Sequence, residues 1–226
     1  MKRPMSENKF YVTEIYDSIE GEGKRTGRMA TFVRLAGCNL RCTYCDTKYS
    51  LERKDAAEVL TAGELVGRIL KFPWKLVTFT GGEPMLHDLK AVIEFLCSKG
   101  YEVNIETNGA IPLDKYWKPE KRPYRMFFTM DWKSISSGMN KEMLKENLRL
   151  LRSVDVIKFV VGSKEDLDDM KKVIKGIILP KVYVSPIWGA IKPAKIVSYI
   201  KENKLSQCTV QVQLHKIIWD PMKRGV

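Results

Sequence analysis

Short runs of β-branched and aromatic residues alternate with stretches of helical periodicity along most of the chain. Such runs are typical of buried strands, whereas apolar residues recurring every three or four positions are typical of amphipathic helices. The predicted strands are residues 31–35, 76–80, 103–107, 126–131, 156–161, 182–185 and 209–214. The predicted helices are residues 64–70, 89–99, 141–152, 164–175 and 193–202.

Local signals mark the boundaries of two of these helices. Thr61 and Glu64 have the spacing of a capping box, so a helix is expected to begin there. Asp88 can cap the following helix, and Gly100 can end it in the left-handed conformation.

The alternation of strand and helix predicts an α/β fold built from βαβ units with a parallel sheet. Seven strands are fewer than a closed eight-stranded barrel requires, and the chain of 226 residues is shorter than the roughly 250 typical of one. We therefore expect an incomplete, modified (β/α) barrel of parallel strands, with a flat doubly wound sheet as the alternative. No composition break divides the chain, which predicts one domain over residues 1–226.

Five motifs whose residues could bind ligands or take part in catalysis lie at or just after the ends of predicted strands. In either fold these positions lie at the carboxyl ends of the strands, where ligands bind. The motifs are the cysteine loop 38–45, residues 81–84 (Gly-Gly-Glu-Pro), Asn108-Gly109, residues 131–133 (Asp-Trp-Lys) and residues 185–188 (Ser-Pro-Ile-Trp).

Composition restricts the classes of function. No stretch approaches the roughly 20 apolar residues that span a membrane, and the N-terminus lacks an apolar signal core, so a cytoplasmic protein without a membrane partner is expected. The five cysteines are odd in number and three are clustered, which favours metal or redox use over disulfides. Cys97 and Cys208 lie in apolar runs and are expected to pack as small hydrophobic residues.

The formal net charge of +12 is compatible with nucleic acid, an acidic partner, an anionic small molecule, or simply a solvated Lys/Glu-rich surface. The basic residues do not form a block with interleaved aromatic residues, although residues 115–125 come closest. Direct nucleic-acid binding is therefore not expected.

Cys38, Cys42 and Cys45 are separated by three and then two residues. Three thiolates so close can hold three corners of a [4Fe–4S] cluster and leave the fourth iron open to another ligand. A structural zinc site needs four ligands, commonly in Cys-x2-Cys pairs, and no fourth ligand has that spacing here. Zinc and plain thiols nevertheless stay open on spacing alone. A zinc site would draw its fourth ligand from Cys97, Cys208, His87 or His215.

The Cys-x3-Cys-x2-Cys run, with Tyr44 before its last cysteine, resembles the radical S-adenosylmethionine (SAM) superfamily. Residues 81–84 resemble that superfamily's motif for the SAM amino group. Further motifs resemble the 7-carboxy-7-deazaguanine synthase family, from about Val12 to Trp219. They are residues 18–23 (Ser-Ile-Glu-Gly-Glu-Gly), 32–40, 45–47, 106–109 (Glu-Thr-Asn-Gly), 158–161 and 213–216.

This resemblance implies a reduced or modified (β/α) barrel, a homodimer and an external one-electron donor of the flavodoxin or ferredoxin type. It implies that Cys38, Cys42 and Cys45 bind a [4Fe–4S] cluster whose free iron takes the methionine part of SAM. The implied SAM contacts are Tyr44, Cys45, Asp46, Gly82, Asp131, Trp132, Lys133, Ser185, Pro186, Ile187 and Trp188. Many family members have Ser-Pro-Lys at residues 131–133, so the first two contacts of that segment depart from the pattern.

The implied reaction is the conversion of 6-carboxy-5,6,7,8-tetrahydropterin to 7-carboxy-7-deazaguanine with loss of ammonia, for queuosine or archaeosine synthesis. Thr47 would be an Mg²⁺ ligand, which suits the preference of that ion for oxygen. Glu20 stands where Gln is frequent in the family. The implied substrate contacts are Ile19, Glu20, Gly21, Arg34 and Thr80.

Two other functions remain alternatives at this point. One is a radical SAM activase acting on a partner protein, which the run 18–23 and residues 45–47 disfavour. The other is a non-catalytic zinc or iron–sulfur module that binds tRNA. The motifs assign no role to Glu106, Asn108, His215 or Lys216.

Overall fold

The structure, a computed structural model, describes residues 8–175 and 180–226. The strands are β1 (Lys9–Ile19), β2 (Met29–Leu35), β3 (Glu58–Thr61), β4 (Leu76–Gly81), β5 (Glu102–Thr107), β6 (Met126–Trp132), β7 (Val156–Val161), β8 (Lys181–Pro186) and β9 (Cys208–Val210). The α-helices are α1 (Ala62–Ile69), α2 (Lys90–Ser98), α3 (Asn147–Leu150), α4 (Lys164–Ile174), α5 (Pro193–Glu202) and α6 (His215–Ile218).

All nine strands belong to one sheet in the order β3-β1-β2-β4-β5-β6-β7-β8-β9. β1 runs antiparallel to β2 and β3, and every other neighbouring pair is parallel. β3 and β9 form opposite edges, so the sheet is open. The partial barrel is confirmed, and a doubly wound sheet is excluded because the parallel strands follow one another without a reversal of order.

Six of the seven predicted strands form and the seventh, 209–214, forms only as far as Val210; the sequence pattern does not predict β1 or β3. Most residues of β1 are half-buried on both faces, so the strand lacks the alternation that identifies a strand from sequence. A register shift between Val12 and Glu14 interrupts the pattern further. β3 has only four residues and pairs with β1 at the edge of the sheet.

Each central parallel strand presents apolar residues to one face, and its polar residues lie mainly on the other face. Val77 and Phe79 of β4 are fully buried in the core, whereas Thr80 lines a cavity on the opposite face. The same alternation places Phe159 of β7 in the core and Lys158 in the cavity wall. The period of two therefore separates a helix-covered core from a polar concave face.

The capping box at α1 is confirmed: the Thr61 side chain accepts from the backbone N–H of Glu64, and Glu64 accepts from that of Thr61. Gly100 follows α2 with φ 81°, as expected for a residue that ends a helix. Asp88 accepts from the backbone N–H of Lys90 at 3.2 Å.

The helix predicted over 141–152 is largely wrong, because only α3 and a 3₁₀ turn at Asn140–Glu142 form there. The buried side chain of Asn147 is the physical reason. Its amide accepts from the backbone N–H of Leu113 and donates to the carbonyls of Gly109 and Ile111, each at 2.9 Å. These bonds tie the segment to the loop after β5 and override its helical periodicity.

Cys97 and Cys208 are free, half-buried thiols packed against the core. Within residues 8–175 and 180–226, no helix has the length and apolar character needed to cross a bilayer.

Candidate functional site

A cavity of about 630 Å³ occupies the concave face of the sheet. Alternate residues near the ends of the parallel strands form its wall, and the cysteine loop forms another part of its lining. Residues 19–22 after β1 and the C-terminal residues 221–226 complete the lining. The motifs that follow separate strands therefore meet in one place, as the topology predicted.

The cysteine loop leaves β2 through Gly37, whose φ of 101° lies in the region that favours glycine. Backbone hydrogen bonds fix the loop on both sides. Gly37 donates to Ser50 and Cys38 donates to Leu51, both at 2.9 Å. Cys38, Cys42 and Cys45 are free, partly exposed thiols that all line the cavity.

Three cysteine thiols are the donor set that this loop offers to a metal group. Among the residues that the structure describes, no three His, Cys, Asp or Glu side chains converge on one ion position, as a zinc site requires. A [4Fe–4S] cluster instead places each thiolate on a different iron, so the sulfurs lie further apart. Burial raises the pKa of Cys38 and Cys42, so a bound metal would supply the positive charge that holds them as thiolates.

Close packing leaves no room for a side chain at Gly81, which ends β4, or at Gly82, which follows it. A Cβ on Gly82 would lie 2.1 Å from the carbonyl oxygen of Gly37, and one on Gly81 would lie 2.4 Å from the backbone of Leu35. The backbone N–H groups of Gly82 and Glu83 donate to Leu35 and Gly37 at 2.7 Å. Gly82 lines the cavity, but its missing side chain makes room for protein as well as for a ligand.

Glu83 is a structural anchor between this turn and β5. Its fully buried carboxylate accepts from the backbone N–H of Met85 and Asn108 and from the hydroxyl of Thr107, at 2.7 to 2.9 Å. Asn108 is thereby aimed at the cysteine loop, where its amide donates to Asn39 at 2.8 Å and lies 3.7 Å from the sulfur of Cys38. Burial raises the pKa of Glu83.

A chain of opposite charges lines the wall formed by β6 and β7. Lys133 Nζ lies 2.8 Å from Asp131 Oδ2, and Lys158 Nζ lies 3.1 Å from Glu22 Oε2 and 3.8 Å from Asp131 Oδ2. Burial alone would raise the pKa of Glu22 and Asp131, but the neighbouring lysines hold both below their usual values. Burial would likewise lower the pKa of Lys158, but Glu22 and Asp131 raise it.

Two polar atoms beside the cysteine loop fit a bound ligand. Within the described residues, the hydroxyl of Tyr44 and Oδ1 of Asp131 are buried and have no hydrogen-bond partner. Buried polar atoms are nearly always satisfied in folded proteins, so a polar ligand is the natural partner here. Both residues were predicted to contact SAM.

The residues predicted to contact the substrate line the same cavity as the cysteine loop. Arg34 is held by Glu14, whose carboxylate accepts from Nε at 2.6 Å, and by Tyr16, whose hydroxyl accepts from Nη2 at 3.0 Å. Thr80 donates to Glu106 Oε2 at 2.8 Å. The cavity lining includes Ile19, Glu20, Gly21, Arg34, Thr80 and Thr47.

Other predicted contacts are divided between the cavity and the core. Asp46, Ile187 and Trp188 line the cavity, and Trp188 is half-exposed at its rim. Trp132 packs in the core, so only its backbone could reach a ligand. Ser185 lies behind the wall, where its hydroxyl donates to Glu22 at 2.8 Å; Pro186, also outside the lining, ends β8.

Sequence reasoning assigned no role to several residues that the structure places at the cavity. Lys158 and Glu22 pair across 136 positions of sequence, a contact that no local motif reveals. His215 stacks against Gly21, where a Cβ would lie 2.0 Å from Nδ1. Lys216 Nζ lies 3.2 Å from Asp46 Oδ2. The only sequence signal for these residues was their position inside quoted motifs.

Comparison with known proteins agrees with this geometry. The family model of the radical SAM superfamily matches residues 33–177. The 7-carboxy-7-deazaguanine synthase of Clostridium acetobutylicum is 42% identical over 224 residues, covering 96% of this chain and 99% of that protein. The synthase of Methanospirillum hungatei JF-1 is 37% identical over 215 residues, covering 93% of this chain and 86% of that protein.

Solved structures show the same fold. The crystal structure of QueE from Escherichia coli has a TM-score of 0.72 at 23% identity, covering 91% of this chain and 94% of that one. SuiB of Streptococcus suis bound to S-adenosylmethionine has a TM-score of 0.51 at 15% identity, covering 77% of this chain and 44% of that one. By sequence over nearly its whole length, the chain belongs to the 7-carboxy-7-deazaguanine synthase family of the radical SAM superfamily.

Proposed function

We propose that this protein converts 6-carboxy-5,6,7,8-tetrahydropterin to 7-carboxy-7-deazaguanine with loss of ammonia. The observation that carries the proposal is that one cavity is lined by both the three-cysteine loop and a half-buried arginine, Arg34. A cofactor held by the cysteines and an anionic substrate held by Arg34 would then share one cavity. The kinship with the Clostridium acetobutylicum 7-carboxy-7-deazaguanine synthase supports the identity of the product.

The cysteine side of the cavity would hold the cofactors. Cys38, Cys42 and Cys45 would bind three irons of a [4Fe–4S] cluster. The remaining predicted contacts, with Tyr44 and Asp131 the best supported, would hold SAM. Together these cofactors supply the one-electron chemistry that removes a hydrogen atom from the substrate. The paired charges of Asp131, Lys133, Lys158 and Glu22 would orient the polar part of SAM, and their mutual ion pairs would keep them in place.

Arg34, Thr80 and residues 19–21 would bind the pterin. The guanidinium of Arg34 is planar and suits a carboxylate, and Glu14 and Tyr16 hold it in one orientation. Thr80, Glu20 and the backbone of residues 19–21 would contact the ring. Thr47 would give Mg²⁺ one hydroxyl oxygen, with the substrate and water supplying the rest. Ring contraction and release of ammonia would follow in this enclosed space.

The proposal includes an external one-electron donor of the flavodoxin or ferredoxin type and a homodimeric assembly. It also includes one domain over residues 1–226. Reduction with photoreduced flavodoxin, and sedimentation of the purified protein, would test the first two.

The decisive experiment is anaerobic incubation of the reconstituted protein with the tetrahydropterin, SAM, Mg²⁺ and dithionite. We expect 7-carboxy-7-deazaguanine and ammonia, identified by mass spectrometry and an ammonia assay. Omission of the pterin is the matched control. Cleavage of SAM with no deazapurine formed would refute the proposed substrate, and no iron uptake would refute the cluster.

A further inference from the structure

Arg25 is a buried cation that no cofactor or substrate contact explains. Its guanidinium and the Glu20 carboxylate are each 2% exposed and form an ion pair. The same Nη2 group donates to the Thr78 hydroxyl, and Nη1 donates to the carbonyl of Glu102 at 3.1 Å. Arg25 therefore ties the loop after β1 to strands β4 and β5 beneath the cavity floor.

The two carboxylate oxygens of Glu20 differ in their contacts. Oε1 accepts from both Arg25 and Thr78. Among residues 8–175 and 180–226, Oε2 accepts no hydrogen bond. Glu20 lines the cavity and Arg25 is outside its lining. One oxygen is thus fixed from behind, and the other is left for a ligand.

A buried carboxylate without a cation would be costly and would take up a proton. Burial raises the pKa of Glu20, whereas Arg25 and the Thr78 hydroxyl act in the opposite direction. Arg25 thus favours the ionised form, which can only accept hydrogen bonds. The free oxygen suits a ligand edge that carries N–H donors.

We infer that Arg25 is a positioning residue that holds Glu20 as a fixed acceptor for the N–H-bearing pyrimidine edge of the substrate. This inference rests on the proposed function, since the pterin supplies that edge through its 2-amino group and the adjacent ring N–H. Arg34 would then hold the carboxylate end and Glu20 the opposite end. The pair sets the orientation of the ring and leaves the cofactor side untouched.

The test compares Arg25→Met with Lys24→Met in the reconstituted holoenzyme. Lys24 is a matched control because its Nζ lies 3.3 Å from the centre of the same Phe127 ring that Arg25 contacts, yet it points to the carbonyl of Val154 at the surface. We expect Arg25→Met to raise the KM for the pterin about tenfold or more, with kcat and the KM for SAM within about twofold. Lys24→Met should change none of these.

A double variant separates positioning from folding. Gln at position 20 keeps an acceptor oxygen and needs no cation, so Arg25→Met combined with Glu20→Gln should recover most of the lost affinity. Equal KM values in the single and double variants would overturn the inference. So would an Arg25→Met variant whose kcat and KM for SAM change as much as its KM for the pterin.

A measurement on the unaltered protein covers the case in which Arg25→Met does not fold. The 2-desamino analogue of the tetrahydropterin should bind about tenfold or more weakly than the parent compound, by calorimetric titration with SAM present. Equal affinities would overturn the inference. Titration needs no turnover, so it also separates this result from failure of the proposed reaction, in which the pterin would bind without forming product.

Discussion

The Glu83 carboxylate stabilises the site because it accepts hydrogen bonds from three buried donors. Replacement by alanine would leave the N–H groups of Met85 and Asn108 and the hydroxyl of Thr107 without their buried acceptor. Each unsatisfied buried donor costs about 1–3 kcal/mol, so we expect Glu83→Ala to lower the free energy of unfolding by about 2–4 kcal/mol. Urea denaturation of the metal-free protein measures this loss.

The exposed Glu202 at the end of α5 gives a matched control. Glu202→Ala should change the free energy of unfolding by no more than about 0.5 kcal/mol. Equal, small effects at both positions would contradict the anchoring role of Glu83.

The prediction for Cys42 concerns metal binding, because its proposed role is to bind one iron of the cluster. It is half-buried and only borders the core, so Cys42→Ala should leave the fold intact. The cluster would lose one of its three ligands, so iron content should fall to less than about half and SAM cleavage should be abolished. Iron analysis and chromatographic detection of 5′-deoxyadenosine give the two readouts.

Cys97→Ala is the matched control, since Cys97 is also a free half-buried thiol but packs against the core away from the cavity. It should retain iron and activity. Continued SAM cleavage by Cys42→Ala would show that Cys42 is not a ligand.

At the scale of elements, the parallel strands could be predicted because each is a short apolar run bounded by turn residues. The candidate site followed from this, since motifs at the ends of parallel strands meet at one edge of the sheet. The antiparallel β1 could not be predicted because its half-buried faces carry no alternation. The failure of the helix at 141–152 depends on Asn147 bonding to residues more than 30 positions away.

The residues that complete the site were also beyond sequence reasoning for a physical reason. Arg25 and Lys158 act by pairing with Glu20 and Glu22, and the second pair spans 136 positions. A buried ion pair is specified by the fold that brings its partners together. Composition and spacing reveal only that the charges exist.

The Glu22–Lys158 pair links β7 to the loop after β1, and its contribution to stability should depend on pH at both extremes. The pKa of Glu22 is lowered in the fold, so its contribution is present above the unfolded value of about 4.3 and is lost as pH falls below it. The pKa of Lys158 is raised, so its contribution is present below about 10.4 and is lost as pH rises further.

We expect Glu22→Gln to flatten the acid limb of the stability profile and Lys158→Met to flatten the alkaline limb. Both variants should also be less stable at neutral pH, because each removes one member of a buried ion pair; Asp131 Oδ2, 3.8 Å from Lys158 Nζ, would replace Glu22 in part. Urea denaturation of the metal-free protein between about pH 3 and 11 measures both slopes. An acid limb unchanged by Glu22→Gln would contradict the pairing.

At the scale of the molecule, the C-terminal segment bridges parts of the open barrel that no strand pairing joins. After β9, Gln211 Oε1 accepts from the backbone N–H of Gly23 at 2.8 Å, and the N–H of Leu214 donates to Gly21 at 3.0 Å. Lys216 then reaches Asp46 in the cysteine loop. The segment thus connects the β9 edge to both the substrate side and the cofactor side of the cavity.

The last six residues line the cavity, where Arg224 stacks on Tyr49 with 3.7 Å between its guanidinium carbon and the ring centre. Radical chemistry requires that water and stray donors be excluded, so this cover should matter for coupling more than for folding. Deletion of residues 220–226 should lower the unfolding midpoint by no more than a few degrees, because most of them are exposed. It should raise the KM for the pterin about tenfold and increase the amount of SAM cleaved per product formed.

The ratio of 5′-deoxyadenosine to deazapurine measures this coupling directly. Arg224→Ala removes only the stacking contact and should show a smaller change in the same direction, because the backbone cover remains. Tyr124→Ser, at a 93% exposed position outside the cavity lining, is the control that should leave the ratio unchanged. A truncated protein with an unchanged ratio would show that the barrel excludes water without its C-terminal cover, and closure would then have to come from the substrate and cofactor themselves.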